Sequence, residues 1–170
     1  MRAALQRPAV ALVVLAVGSV GVGCGQRPSR SQPAAAPAKR QALAQQRDPI
    51  GARGRTLGLA RVVIPPGTSL PLHRHEGTQA AYVQQGALTY SVLAGDVEVM
   101  RGASDAGPAP VRRIGRGQTA TITAGEWIVE EPDDVHRAAN RGRRPVVVLL
   151  ATLLRTGAPP ATPVAGPAGR

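Results

Sequence analysis

The chain has 170 residues, 21 Lys+Arg against 10 Asp+Glu, a formal net charge of +11, 43% hydrophobic residues and 2% aromatics. That length suits one ordinary domain, and a single cysteine excludes an intramolecular disulfide framework or a cysteine-cluster zinc site. The charge would suit an acidic partner, but Lys39 is the only lysine, so a composition biased to Arg and Ala explains it equally well.

In chain order, Arg2 and Arg7 precede an apolar run from Ala9 to about Val17, and small residues then lead to Cys24. This is the layout of a bacterial export signal. Val20 to Cys24 resembles a lipoprotein processing box, with Gly21 where the box usually has Leu. Lipidation at Cys24 is therefore expected, with ordinary cleavage or an uncleaved anchor as alternatives. No charge falls between Arg7 and Arg27, enough chain to cross about 30 Å of bilayer. Residues 1–23 are read as signal peptide and 24–54, rich in Pro, Ala, Gln and Ser, as a disordered tether. Residues 55–157 are read as the folded domain and 158–170 as a disordered tail. The chain is then exported and lipid-anchored at the cell envelope, or otherwise secreted.

From Thr56 to Leu154, β-branched residues cluster in short runs: 59–64, 69–75, 79–85, 87–93, 96–100, 118–123, 126–131, 136–140 and 146–154. Gly86, Gly95, Gly117, Gly125 and Gly142 punctuate them, suiting tight turns. The last run has a helical alternative but is Val-rich and follows Pro145. Residues 102–117 form the longest irregular connection. The pattern predicts an all-β sandwich or barrel in a single domain.

His73, His75 and His136 are the only histidines. The first two, being two apart, share one face of a strand. The stretch Gly67 to Gly86 resembles the first motif of the cupin superfamily, G-x5-H-x-H-x3-E-x6-G: Gly67, His73, His75 and Gly86 match, and Gln79 stands at the glutamate position. Gly125 to Asn140 resembles the second motif, G-x5-P-x-G-x2-H-x3-N: Gly125, His136 and Asn140 match, while Glu131 and Asp133 replace Pro and Gly. The resemblance covers residues 56–156. It implies a cupin-type double-stranded β-helix, or jelly-roll barrel, holding one divalent ion (Fe, Mn, Zn, Ni or Cu) on His73, His75 and His136. Gln79 would be the fourth ligand or a hydrogen-bonding neighbour of the ion. It also allows a homodimer through edge strands.

With Gln79 neutral, no protein anion is expected to offset the metal's charge, and Gln79→Glu should raise affinity. Three imidazoles still form a sufficient set. The implied function is metal-dependent conversion of a small molecule, in the manner of cupin dioxygenases. The alternatives are a non-catalytic module binding a small ligand or metal at the cell envelope, and a vestigial barrel without metal. No catalytic residue is assigned. Glu76 reads as an exposed charge, and Asn140 as structural. Glu126, Glu130, Glu131, Asp133 and Asp134 read as a solvated surface answering Arg137, Arg141, Arg143 and Arg144. Tyr82, Tyr90 and Trp127 read as core packing before pocket lining. No nucleic-acid partner is expected, because the arginine clusters at 112–116 and 141–144 lack neighbouring stacking aromatics.

Overall fold

Short runs of Val, Ile, Thr and Leu between glycines favour extended backbone over helix, and the computed structural model carries twelve strands and no helix among the described residues, 35–102, 107 and 109–165. In chain order these are β1 (Lys39–Arg47), β2 (Arg55–Ile64), β3 (His73–Arg74), β4 (Gly77–Gln85), β5 (Ala87–Ala94) and β6 (Val97–Arg101). There follow β7 (Ala109–Ile114), β8 (Thr119–Thr123), β9 (Glu126–Glu130), β10 (Val135–Ala139), β11 (Val146–Arg155) and β12 (Thr162–Pro163). The strands form a seven-stranded sheet, β1-β2-β11-β4-β9-β6-β7, and a five-stranded sheet, β12-β3-β10-β5-β8. The paired strands run antiparallel. The fold is an all-β jelly roll.

Alternation along each strand decides what faces inward. In β4 the residues Gly77, Gln79, Ala81 and Val83 are buried, while Tyr82 is exposed. Ile64, Tyr90, Val99, Ile122, Ile128 and Val146 meet from both sheets in the core. Each such apolar side chain contributes about 1.5–3 kcal/mol on burial. The core therefore needs no phenylalanine.

Four expectations are corrected. The tether read over 24–54 contains β1, an edge strand paired with β2 from Lys39↔Val63 to Arg47↔Thr56. The tail read over 158–170 contains β12, paired with β3. In both places backbone hydrogen bonds fix segments too poor in large apolar groups to look folded. The connection at 102–117 contains β7, which pairs with β6 and carries Arg112 and Arg113. The run at 69–75 shortens to β3 plus an isolated bridge between Ser69 and Ala139. The run from 146 is a strand. Gly86, Gly95, Gly117 and Gly125 have positive φ and Gly142 does not. The signal peptide and Cys24 lie outside the described residues.

Candidate metal centre

His73 on β3 and His136 on β10 are cross-strand partners. His75 lies two residues beyond His73, just past the end of β3, and its imidazole joins the other two. One ring nitrogen from each lies within 4.8 Å of the others, and all three residues are buried. The ring centroids are 4.4 Å apart for His73–His136, 5.0 Å for His73–His75 and 5.2 Å for His75–His136. The sequence reading of these three as a cluster is therefore matched in space.

Carbonyls fix two of the tautomers. His73 Nδ1–H donates to the Pro71 carbonyl at 2.7 Å, and His75 Nδ1–H donates to the Pro160 carbonyl at 2.7 Å. A carbonyl only accepts, so each Nδ1 carries a proton, which leaves Nε2 as the ring nitrogen that can ligate. Burial pushes the His75 pKa down, partly opposed by the nearby Glu130 carboxylate. Burial likewise lowers His136, to about 4. The His136 Nδ1 is buried without a hydrogen-bond partner among the described residues. Buried, clustered imidazoles are the donor set that a divalent transition ion takes. The residues present fit the metal that the fold implies.

The large sheet faces this cluster with Gln79 on β4 and Glu130 on β9, themselves register partners. Gln79 Nε2 lies 3.1 Å from His75 Nε2 and donates to Glu130 Oε2 at 2.5 Å. Glu130 Oε1 accepts from the Tyr90 hydroxyl at 2.9 Å and lies 3.2 Å from His136 Nε2. Glu130 Oε2 lies 3.5 Å from His75 Nε2. Burial, together with the Glu130 charge, pushes the Tyr90 hydroxyl far above its ordinary pKa, so it remains a donor. The Tyr90 ring stacks on His136 at 5.1 Å.

Glu130 is the neighbour of the cluster that the sequence reading missed, and Tyr90, read as core packing before pocket lining, does both. Against the expectation that no acidic side chain stands at the cluster, the Glu130 carboxyl lies beside two of its imidazoles. The acidic group near the second motif also divides differently: Glu126, Glu130 and Asp134 are buried, whereas Glu131 and Asp133 are exposed. Glu126 is answered by Arg101 and Arg112 rather than by the arginines at 137–144. The signal available was the strand alternation of β9, which puts 126, 128 and 130 on one face. Glu76 pairs with Arg74 and Arg155 at the rim. Asn140 holds the Ile64 and Arg144 carbonyls at 2.8 Å, a structural role.

The centre opens on a cavity of about 260 Å³, walled by Val62, Ile64, Leu88, Ala138, Val148 and Leu150. Ala38, just before β1, and Arg40 of β1, with Pro160 and Ala161, also line it. The segments read as tether and tail thus help to close the site.

A cupin-domain family model matches residues 60–109, which hold His73, His75 and Gln79. Among solved structures the chain is similar to a cupin superfamily protein from Desulfitobacterium hafniense, with 14% identity and a TM-score of 0.46 over 69% of this chain and 77% of that one. It is similar to a cupin 2 domain-containing protein from Halorhodospira halophila, with 17% identity and a TM-score of 0.49 over 75% and 71%. An oxalate oxidase aligns at 21% identity and a TM-score of 0.50, over 79% of this chain and 57% of that one. Such identities speak to fold alone. No curated protein matches the chain. The family match is confined to residues 60–109, and the likeness to solved structures concerns the jelly-roll fold.

Proposed function

We propose that this protein binds one divalent metal ion through His73, His75 and His136 and converts a small molecule held in the adjoining cavity. The observation that carries this reading is the convergence of three buried ring nitrogens within 4.8 Å at a cavity of about 260 Å³. A bound ion would supply a Lewis acid or an open position for oxygen, as in dioxygenase-type chemistry. The chain's own residues prepare that position. Pro71 and Pro160 hold two imidazoles in the ligating tautomer, Tyr90 keeps its proton, and apolar walls keep water from the ligand body.

A non-catalytic binding module at the cell envelope is the second reading. It is favoured by the engagement of the site's acid and base candidates: the Tyr90 hydroxyl and Glu130 carboxylate bond each other, and Gln79 holds the second Glu130 oxygen. No catalytic base stands free among the described residues lining the cavity. Oxygen uptake by the metal-loaded full chain, with a panel of small diketones, phenols and thiols, separates the two. Metal-dependent turnover supports the enzyme, and saturable ligand binding without turnover supports the module.

We also infer export with a lipid anchor at Cys24, resting on the residue pattern of 1–24. Fatty-acid labelling that is lost in Cys24→Ser supports it, and an unlabelled unmutated protein contradicts it. A homodimer through an edge strand remains part of this proposal, its test being the mass in solution.

A further inference from the structure

The chain buries two glutamates on the same face of β9, four residues apart, and treats them differently. The Glu126 side chain is 3% exposed and meets Arg101 at 3.0 Å and Arg112 at 2.9 Å. It also accepts the Thr123 N–H at 2.7 Å. The Glu130 side chain is 4% exposed. Its neighbours are the Gln79 amide, the Tyr90 hydroxyl and two imidazoles, with no Lys or Arg in ion-pair reach among the described residues. A buried carboxylate needs an opposite charge as well as hydrogen bonds, because desolvating an ion costs several kcal/mol. At Glu126 arginine provides it. At Glu130 none does among the described residues.

We propose that Glu130 is the anionic member of the metal centre, supplying from β9 the negative charge that Gln79 cannot supply from β4. This rests on the metal reading above. The register carries it: Gln79↔Glu130 are directly paired, so the carboxylate sits one strand across from the position where the first motif leaves an amide. The distances lie in or just beyond the range for donors that share one ion. Donors each about 2.1 Å from one ion lie roughly 3.0–3.4 Å from one another. Glu130 Oε1 lies 3.2 Å from His136 Nε2 and Oε2 lies 3.5 Å from His75 Nε2. Gln79 and Tyr90 each donate to one carboxylate oxygen, which fixes its plane and leaves lone pairs toward the imidazoles. The centre is thereby three imidazoles and one carboxylate, with the amide as its positioning group.

The test is Co2+ titration of the metal-stripped full chain against a competing chelator, with the visible Co2+ spectrum as a second readout. Four proteins are compared: unmutated, Glu130→Gln, the swap Gln79→Glu/Glu130→Gln, and His136→Ala. Glu130→Gln should weaken Co2+ by at least about tenfold and shift its bands. The swap should recover most of that loss, since it returns one carboxylate to the pair. Unchanged affinity in Glu130→Gln, with binding lost in His136→Ala, overturns the assignment while leaving the three-His centre standing. An unmutated chain that does not bind Co2+ overturns both. If Glu130→Gln gives no cooperative melting, the swap decides: affinity near the unmutated value supports the assignment, and a loss of about tenfold or more overturns it.

Discussion

The carbonyl of Pro160 accepts the Nδ1–H of His75 at 2.7 Å, across 85 positions of the chain. A segment whose composition reads as a disordered tail therefore sets the tautomer of a candidate ligand. Val164 N–H donates to the Leu72 carbonyl at 3.0 Å and β12 pairs with β3, so the same segment is held against the histidine strand by its backbone.

Ending the chain at Gly157 removes that acceptor while sparing the core strands. The His75 ring would then be free to rotate or to place its proton on Nε2. Metal affinity should fall by about 10- to 100-fold, the usual effect of losing a partner that orients a ligand. Chelator competition on the shortened chain measures it. Affinity equal to that of the full chain would show that Pro160 does not position His75.

Gly77 lies between His75 and Gln79 at φ 153°, and a Cβ there would run into the Leu153 carbonyl oxygen and stand 2.8 Å from the Leu154 Cα. Those atoms are backbone of β11 and cannot swing away. Gly77→Ala should cost more than about 2 kcal/mol in urea unfolding and weaken metal binding through displaced ligands. Gly117, with φ 78° and nothing within 4 Å of where a methyl group would stand, is the control. Gly117→Ala should cost only about 1–2 kcal/mol and leave metal binding alone.

Gln79→Glu is expected from the sequence to strengthen metal binding. The structure reverses that expectation, because the Gln79 amide nitrogen already touches Glu130 at 2.5 Å. Two carboxylates in that contact cannot both ionise freely and tend to share a proton. The single variant should gain no affinity at pH 7 and should lose about 1–3 kcal/mol of metal-free stability. A clear rise in affinity would contradict the placement of Glu130.

Glu126 supplies the pH dependence. Hydrogen bonding from Arg112 first, then from the Thr123 backbone and Arg101, holds its carboxyl well below the usual carboxylate range. The unfolded chain then takes up a proton near the ordinary value of 4.5 while the folded chain does not. More protons bound by the unfolded state mean that stability rises with pH in that window. The contribution is complete above about pH 5 and is lost as pH falls below the ordinary carboxylate value. Glu126→Gln should lower the melting temperature at pH 7, and the gap to the unmutated protein should narrow on acidification. A gap independent of pH from 7 to 3 would rule out the ionic origin.

The histidine cluster was legible because motif spacing survives folding: His73 on β3 pairs with His136 on β10, and His75 follows just past the end of β3. The all-β architecture was legible from β-branched runs and glycine turns. The edges were not. Every residue of β1 is exposed, so it has no hydrophobic pattern to read, and a backbone ladder to β2 holds it in place. Glu130 was not legible either, because a carboxylate among five acids looks like surface until the pairing of β4 with β9 turns it inward. Pro160 acts through its carbonyl, which no side-chain pattern records.

The central claim is a metal held by His73, His75 and His136, and elemental analysis of the purified full chain tests it most directly. The account predicts close to one divalent ion per chain, lost in both His73→Ala and His136→Ala while each variant still melts cooperatively. Substoichiometric metal in the unmutated protein, unchanged by either substitution, would contradict it.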